Sequence, residues 1–566
     1  MSLLVDLFGW LSVVVHGFVI VAQSMAVGGA LFLVLLARPF AARLTVPVAA
    51  LGAVQVLDGE GIARRAARIA GWSALALAAC EAATVAMQGA VVADQVGLSA
   101  ADVLGANFAI AGLAKMAAAL LLALVLLAPS APARQPPGAA AVLLLCAAIL
   151  AAAVMTTHAT ARLDHQGVLM VATGLHLLGA ALWIGGIPCF VMALAQARGD
   201  GAALRLVGAR FSRMSMAGVA CILASATVFF VFYIGSWQGV YGTAYGVMAS
   251  AKAAMLCALL LLGLGNFLTV ERLRRDPRTS ALRLRRFAEV EIGVGFAVFF
   301  AAASLTSVPP AVDLTQDRVT LGEIAQRNAP YWPRLTSPDH DVLALPALQQ
   351  KLDAAAAHDH TAAAPAFVPG SGELPPRNAA DIAWSEYNHH WAGIFVLLIG
   401  ALALLNRAGV RWARHWPLAF LALAVFLFLR SDPEVWPLGS EGFFASLRDV
   451  EVLQHRVFVL LTVAFALFEW GVRTGRVRSR RAALVFPLMM ATGGTLLLTH
   501  SHAIANVKEQ LLIELTHTPL ALAAIAAGWA RWLELRADGR VARVAGWMWP
   551  VCLVLIGFIL LWYREA

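Results

Sequence analysis

Long apolar stretches alternate with short polar segments along almost the whole chain. A helix needs about 20 apolar residues to cross a bilayer. Fourteen stretches approach or exceed that length; they lie at 8–36, 69–93, 104–128, 139–157, 168–196, 214–236, 241–270, 287–308, 391–406, 415–429, 453–472, 483–499, 510–530 and 544–563. The pattern predicts an all-α polytopic membrane protein with about 14 transmembrane helices.

One long polar interval divides the predicted helices into a group of eight and a group of six. It begins at Pro309-Pro310 and contains an Ala-rich stretch punctuated by prolines, from Ala354 to Pro376. Such composition is typical of a small cap or a linker. We therefore predict an eight-helix membrane domain over 1–308, a loop or linker over 309–387, and a six-helix membrane domain over 388–566.

Basic residues are distributed unevenly between the segments that join the predicted spans. Every second joining segment, beginning with 37–68, is rich in arginine, and together these segments hold 29 of the chain's 42 lysines and arginines. The short segments 94–103 and 237–240 hold none. Since short cytoplasmic loops carry the excess of Lys and Arg, the arginine-rich side is predicted to be cytoplasmic. Both termini and the interval 309–387 are then predicted to be periplasmic.

The composition excludes several classes of protein. Hydrophobic residues make up 60% of the chain and charged residues only 13%, whereas soluble domains average about 45–50% and about 25%. Mean hydropathy is +0.77. A water-soluble enzyme, a disordered chain and a nucleic-acid-binding module are therefore excluded, despite the net charge of +9. The lipid bilayer is the predicted surrounding, and no nucleic acid is expected as a partner.

The histidines are concentrated on the predicted outer side. His16, His176 and His517 lie inside apolar runs, about 12–15 Å below the outer edge at 1.5 Å per residue, and many of the others lie at or beyond that edge. Imidazole is the commonest protein ligand for transition metals, and thioethers bind soft Cu(I). The candidate metal ligands are His16, Met25, His158, His176, His389, His390, His455, His500, His502 and His517. For any single histidine, hydrogen bonding to loop backbone is the alternative interpretation.

Four charged residues inside the predicted spans form a second set of candidates. Glu81 and Lys115 fall at similar depths on neighbouring spans, Lys252 lies in the middle of the seventh, and Glu291 lies near the inner end of the eighth. Ionisable groups in a membrane are functional candidates by default. A structural ion pair between Glu81 and Lys115 explains those two equally well, and either lysine would oppose a cation passing close to it.

Several of these residues stand in recognisable strings. Residues 175–186 read Leu-His-Leu-Leu-Gly-Ala-Ala-Leu-Trp-Ile-Gly-Gly, and Thr157-His158-Ala159, Lys252 with Asn266, and Glu291 accompany them. Together they resemble the CopD (PcoD) family of bacterial inner-membrane copper proteins over about residues 8–308. The six-helix remainder resembles the extension of longer members. The resemblance implies copper resistance, movement of copper from periplasm to cytoplasm, and a periplasmic carrier of the CopC kind as a partner.

Two functions remain open from the sequence. The first is an inner-membrane copper transporter that takes up periplasmic Cu(I) or Cu(II) through a path of histidines, with Glu291 or Glu81 coupling protons. The chain contains no Gly-Lys dipeptide and hence no Walker A loop, so we expect no ATPase and no enzyme. The alternative is a membrane redox protein that holds b-type haem between histidines of different helices.

Overall fold

The computed structural model describes most of the chain. The described residues are 2–39, 59–128, 138–197, 201–276, 279–316, 318–339, 379–432, 435–439, 441–447, 450–499 and 507–565. They form two compact units. Unit 1 comprises Met1–Val240, Met248–Thr315 and Thr499–Ser501, and unit 2 comprises Tyr241–Val247, Gln316–Leu498 and His502–Ala566. The division into domains at 308 and 387 stays a prediction.

The helices that lie wholly or mainly in unit 1 make up most of its described residues. They are α1 (Ser2–Phe32), α2 (Gly59–Val96), α3 (Ala100–Leu104), α4 (Asn107–Leu127), α5 (Ala139–Met155), α6 (His158–Ala161), α7 (Gln166–Ala180), α8 (Ile187–Gln196), α9 (Gly201–Phe229), α10 (Trp237–Tyr241), α11 (Ala244–Arg275) and α12 (Leu282–Leu305). Three π-helical turns, Leu33–Ala37, Ala181–Gly185 and Phe230–Ile234, continue α1, α7 and α9.

The helices of unit 2 surround an aromatic core. They are α13 (Leu321–Arg327), α14 (Ala379–Arg407), α15 (Ala419–Arg430), α16 (Phe443–Ser446), α17 (Val450–Arg473), α18 (Val485–Leu497), α19 (Val507–Arg536) and α20 (Gly539–Leu561). In the core, the rings of Trp416, Phe486 and Trp549 lie 5.4–5.6 Å apart between centroids. The guanidinium of Arg473 lies over both tryptophans. Cation–π contacts therefore add to the packing of this aromatic core.

The structure confirms an all-α polytopic membrane protein. Among the described residues there is no strand, only an isolated bridge between Val435 and Glu441. Twelve described helices are long and apolar enough to cross a membrane, and two shorter apolar helices occupy the positions of the fourth and twelfth predicted spans. All fourteen apolar runs are therefore helical. How many of them cross the bilayer, and on which side the termini lie, stay predictions.

Small residues allow the helices of unit 1 to approach closely. A Cβ on Gly179 would lie 2.7 Å from the carbonyl oxygen of Gly218, and a Cβ on Gly218 would lie 2.7 Å from that of Gly179. Such glycine contacts are common between membrane helices, because van der Waals packing there replaces the hydrophobic effect. The contact holds α7 directly against α9 and so brings the polar side chains of the two helices within reach of each other.

Candidate functional site

Two of the predicted metal ligands meet in unit 2. His389 lies on α14 and His517 on α19, each about three turns after its helix begins. The centroids of their rings are 6.4 Å apart, and the ring planes are nearly perpendicular, at 83°. His389 had been expected at the outer membrane surface; the structure places it inside a continuous helix, beside a histidine predicted at mid-depth.

Hydrogen bonds to the backbone determine which nitrogen of each ring carries the proton. The Nδ1 of His389 lies 2.8 Å from the carbonyl oxygen of Ser385, and the Nδ1 of His517 lies 3.0 Å from that of Ile513. A carbonyl oxygen only accepts, so each Nδ1 carries a hydrogen. In the neutral ring the lone pair is then on Nε2. Both imidazoles are thus in a tautomer in which Nε2 can bind a metal.

An aromatic ring and a carboxylate complete the surroundings of this pair. The ring of Tyr563 stacks on His389 with centroids 3.7 Å apart, and it lies 6.1 Å from His517. The Tyr563 hydroxyl donates to Glu565 at 2.9 Å, and Ser385 donates to the same carboxylate oxygen. Glu565 also interacts electrostatically with both histidines. The pair therefore has a negative group beside it.

A charged cavity of about 450 Å³ in unit 2 reaches this carboxylate. Its lining residues are Val319, Glu323, Gln326, Arg327, Glu386, Lys508, Leu512, Arg564 and Glu565. Hydrogen bonds from Thr320 and Lys508 lower the pKa of Glu323 to about 2, so this side chain is ionised at neutral and mildly acidic pH. Glu565 is the residue shared by the cavity and the surroundings of the two histidines.

The neighbouring His390 has a different role in the structure. Its ring is 0% exposed; Nδ1 accepts from the backbone N–H of Arg334 at 2.8 Å, and Nε2 donates to the carbonyl of Tyr563 at 2.8 Å. His389 and His390 were both candidate ligands from the sequence. Because α14 is continuous here, they point in different directions. With both nitrogens bonded to backbone, His390 is left out of the ligand set proposed below.

Of the remaining candidates in the six-helix half, His455 lies among the described residues. The Nδ1 of His455 lies 2.6 Å from a carboxylate oxygen of Asp432, an arrangement that sets the orientation of a metal-binding histidine in many proteins. His500 and His502 lie outside the described residues. Their role as metal ligands stays a prediction.

In unit 1, His158 lies near the predicted outer end, and His16 is close enough to interact with it electrostatically. The Nε2 of His158 donates to the Thr306 carbonyl at 2.7 Å, and His158 lines a cavity of about 290 Å³ together with the Arg162–Asp313 ion pair. His16 is within electrostatic range of His158 and of Lys115. Met25 is half-buried on α1, and among the described residues no hydrogen bond or ring contact joins it to a histidine.

His176 meets a serine across the contact between α7 and α9. Its Nδ1 lies 2.9 Å from the hydroxyl oxygen of Ser225, and that hydroxyl donates its only hydrogen to the Ile222 carbonyl at 2.9 Å. His176 must then be the donor, which leaves its lone pair on Nε2. Lys252 is within electrostatic range of His176. Here, in contrast to the pair in unit 2, the charged neighbour is a cation.

Glu81 and Lys115 form the ion pair that the sequence left as one of two interpretations. Lys115 Nζ and Glu81 Oε2 are 3.0 Å apart, and the side chains are only 3% and 4% exposed. Such a pair is stable in an apolar interior because each charge neutralises the other. The two residues join α2 to α4, and a proton-coupling role for Glu81 stays a prediction.

Glu291 accepts hydrogen bonds from two neutral donors. Asn266 donates to one carboxylate oxygen at 2.5 Å, and the indole of Trp183 donates to the other at 3.4 Å. Trp183 belongs to the π-helical turn Ala181–Gly185, a feature frequent at functional sites. Asn266 and Glu291 are both buried. A proton-coupling role for Glu291 stays a prediction.

Sequence reasoning missed the residues around the pair. Tyr563, Glu565 and Ser385 were not among the candidates, because nothing in the sequence relates the end of α20 to the start of α14. A tyrosine and a carboxylate directly after an apolar run were the only signal. Within the described residues, no group of three or more His, Cys, Asp or Glu side chains is arranged to hold a metal ion.

Comparisons with known proteins concern part of the chain. Residues 205–305 match the family model CopD, described as Copper resistance protein D. The protein named Copper transport protein CutJ, from Bacillus subtilis (strain 168), is 31% identical over 156 residues, which is 27% of this chain and 28% of that protein. The match thus spans little more than a quarter of the relative's length. No solved structure matches the chain.

Proposed function

We propose that this protein, whose residues 205–305 match the CopD family model, transports copper across a bacterial inner membrane, from periplasm to cytoplasm. The observation that carries the proposal is the pair of imidazoles of His389 and His517, 6.4 Å apart between centroids, each with its lone pair on Nε2. The printed name of the similar Bacillus protein, a copper transport protein, supports the choice of metal. A periplasmic copper carrier of the CopC kind is the proposed donor.

Electrostatics distinguish a binding position from a transit position. Beside the pair in unit 2 lies the carboxylate of Glu565, which attracts a cation. Beside His176 lies Lys252, which weakens cation binding. Conduction requires sites that bind strongly enough to admit an ion and weakly enough to release it. We assign capture to His389 and His517, and brief transit to His176.

The membrane potential is the proposed driving force for uptake. An inside-negative potential favours the inward movement of one positive charge by about 2.3 kcal/mol per 100 mV. Without a Walker A loop in the chain, no step in the proposal uses ATP, and the protein acts as a transporter rather than as an enzyme. Proton movement through Glu291 is the proposed second way to drive copper uptake.

Reconstitution tests the proposal directly. Purified protein in liposomes, with a potassium diffusion potential of either sign, is supplied with copper, and the metal inside the vesicles is measured by mass spectrometry. We expect accumulation above that of protein-free liposomes, increased by a potential that is negative on the cytoplasmic side. Equal copper in both kinds of vesicle at either potential would overturn the proposal.

A serine-to-alanine change tests the transit position. In Ser225→Ala the acceptor that orients the ring of His176 is lost. Removing such an outer partner typically costs about 10–100-fold in metal affinity or activity. We expect a fall of that size in the rate of copper uptake, measured in liposomes, with the amount of copper bound at equilibrium unchanged, because that copper lies at the pair in unit 2.

Two companion variants show whether orientation is the cause. Ser225→Thr keeps the hydroxyl and should restore uptake. Thr227→Val removes a hydroxyl of the same helix that bonds only to the Leu223 carbonyl, and it should leave uptake unchanged. Equal rates in Ser225→Ala and in the unmodified protein would contradict a transit role for His176.

The alternative function, binding of b-type haem, does not fit between His389 and His517. A macrocycle ligated by both histidines would lie between their rings, and Tyr563, 3.7 Å from one centroid and 6.1 Å from the other, lies within the radius of such a ring system. The residues present therefore do not fit haem at this position. A Soret band in the purified protein would show haem elsewhere in the chain.

A further inference from the structure

We propose that unit 2 binds the head groups of anionic phospholipids at the end that is predicted to be cytoplasmic. Three segments join its helices there: 408–418 follows α14, 474–484 follows α17, and 537–538 separates α19 from α20. The inference goes beyond copper transport and does not depend on it, because it concerns the lipid around the protein and not the cargo.

The three joining segments lie together because the helices they connect pack around the same aromatic core. Trp416 belongs to the first segment, Phe486 directly follows the second, and Trp549 lies about three turns after α20 begins. Their rings are 5.4–5.6 Å apart between centroids. At the last residue of α14, Arg407 donates to Glu534 near the end of α19 at 2.8 Å. The polar segments therefore cover one end of the unit.

Arginine dominates this end. Residues 407–418, 469–484 and 531–543 contain three, five and four arginines, twelve in all, with no lysine and only three acidic residues. Two of the acids are engaged in ion pairs: Glu469 with Arg473, and Glu534 with Arg407 and Arg531. Eight of the arginines, within 411–414, 476–481 and 540–543, are exposed, and Asp538 is the exposed acid of these segments. The surface that they form, here called the arginine surface, is strongly positive.

Such a surface attracts anions. Clustered charges of one sign repel one another and raise the local concentration of ions of the opposite sign. Anionic lipids give the cytoplasmic leaflet a negative surface potential, which attracts basic segments next to membrane helices. The planar guanidinium group also forms two parallel hydrogen bonds with phosphate oxygens. The phosphate of an anionic lipid therefore matches both the charge and the donor geometry of the arginine surface.

Tryptophans place the arginine surface at the depth of lipid head groups. Trp412 and Trp547 are 63% and 46% exposed, and exposed tryptophans of membrane proteins concentrate at the boundary between lipid and water. The guanidinium of Arg476 lies 4.0 Å from the ring centroid of Trp470. The indole of Trp470 in turn donates to Nδ1 of His415 at 2.8 Å. Arg476 is thus held beside an oriented indole, with its side chain exposed.

A lipid matches this surface better than a soluble phosphate does. Next to the arginines, the helices carry exposed apolar side chains: Leu405 is 41% exposed, Val544 57% and Met548 46%. A ligand that contacts both regions needs a phosphate and an apolar chain. A phospholipid has both, whereas a soluble phosphate or a nucleic acid has only the first.

The experiment compares two lipids on the purified full-length protein. The protein in detergent is mixed with equal amounts of phosphatidylglycerol, which is anionic, and phosphatidylcholine, which is zwitterionic, and the lipids retained after gel filtration are counted by mass spectrometry. We expect at least about fivefold more phosphatidylglycerol than phosphatidylcholine. The excess should disappear in about 1 M salt, where the Debye length is about 3 Å. Equal retention of the two lipids would overturn the proposal.

Glycerol phosphate, which has the phosphate but no acyl chain, distinguishes the two sources of the ligand. At the same concentration as the lipid it should leave the retained phosphatidylglycerol unchanged. Displacement of the lipid would show a site for soluble phosphate and would overturn the assignment to a lipid surface.

A variant of the arginine surface locates the lipid. Arg411→Gln, Arg480→Gln and Arg481→Gln are combined, and the retained phosphatidylglycerol should fall by at least about twofold. Hydrogen exchange of segments 408–418 and 474–484 should be slower in phosphatidylglycerol than in phosphatidylcholine, and this difference should be lost in the variant. Because the three side chains are exposed, thermal unfolding in detergent alone should match that of the unmodified protein.

Asp538→Asn is the matched control on the same surface. Asp538 is exposed, and its side chain makes no capping hydrogen bond to α20. The change removes a negative charge, so the control should retain at least as much phosphatidylglycerol as the unmodified protein. Unchanged retention in the arginine variant, or an equal loss in the control, would contradict binding at the arginine surface.

Discussion

Replacing either histidine of the pair is expected to abolish capture of copper by this protein. In His389→Phe the stacking on Tyr563 can persist, but one of the two ligands is lost. Loss of an outer-shell partner already costs about 10–100-fold in metal affinity, so loss of a direct ligand should cost more. We expect copper affinity to fall by more than about 100-fold, measured by competition with a chelator, and uptake into liposomes to fall to the background of protein-free vesicles.

The double variant distinguishes a shared ion from two separate ones. Residues that act as one unit have non-additive effects, so His389→Phe with His517→Phe should be no worse than either change alone. His390→Phe would lose the hydrogen bonds to Tyr331 and Tyr563 and is therefore unsuitable as a control. His415, which lies in the same unit and is bonded to Trp470, provides the control variant His415→Phe. Additive losses in the double variant would mean that the two histidines bind different ions.

Breaking the buried ion pair of unit 1 is expected to have the largest effect on stability. In Lys115→Met the carboxylate of Glu81 stays buried at about 4% side-chain exposure without its partner. Removing one member of a buried pair costs about 3–5 kcal/mol, whereas replacing both by apolar residues is often neutral. We therefore expect a strong loss in the free energy of unfolding for the single variant and recovery in Glu81→Met with Lys115→Met.

The free energy of unfolding of both variants is measured on the purified protein in detergent, by denaturation with heat and with a denaturant. An exposed pair on α2 is the matched control: Arg64 and Glu60 are 3.4 Å apart with side chains 59% and 58% exposed. Its removal should change stability by less than about 0.5 kcal/mol. If the double variant were as unstable as Lys115→Met, the pair would contribute more than charge neutralisation, and copper uptake by the double variant would then show whether transport depends on it.

The helices were predictable because the bilayer restricts the backbone. Inside a membrane every peptide group must bond within its own segment, so an apolar run of sufficient length has few alternatives to a helix. All fourteen predicted runs are helical for this reason. The π-helical turn at Ala181–Gly185 was not predictable, because the periodicity of apolar residues does not distinguish it from the α-helix that it continues.

Individual site residues were predictable to a lesser degree. Histidine is rare in apolar runs and costly to bury, which made His517 a candidate, whereas His389 was a candidate as one of the histidines at the predicted outer edge. Their pairing was not predictable. The different direction of His390 follows from the helix, because α14 continues through both residues and directs consecutive side chains about 100° apart.

Hydropathy alone determines that this is a multi-pass helical membrane protein, since it follows from the transfer of groups between water and lipid, residue by residue. Only the tertiary structure brings His389, His517, Tyr563 and Glu565 beside one another. It also directs His390 away from them, towards the backbone of Arg334 and Tyr563. The reason is physical: the cost of burying a side chain depends on its own chemistry, but the geometry of a metal site depends on which helices are neighbours, and helix packing joins residues far apart in the sequence.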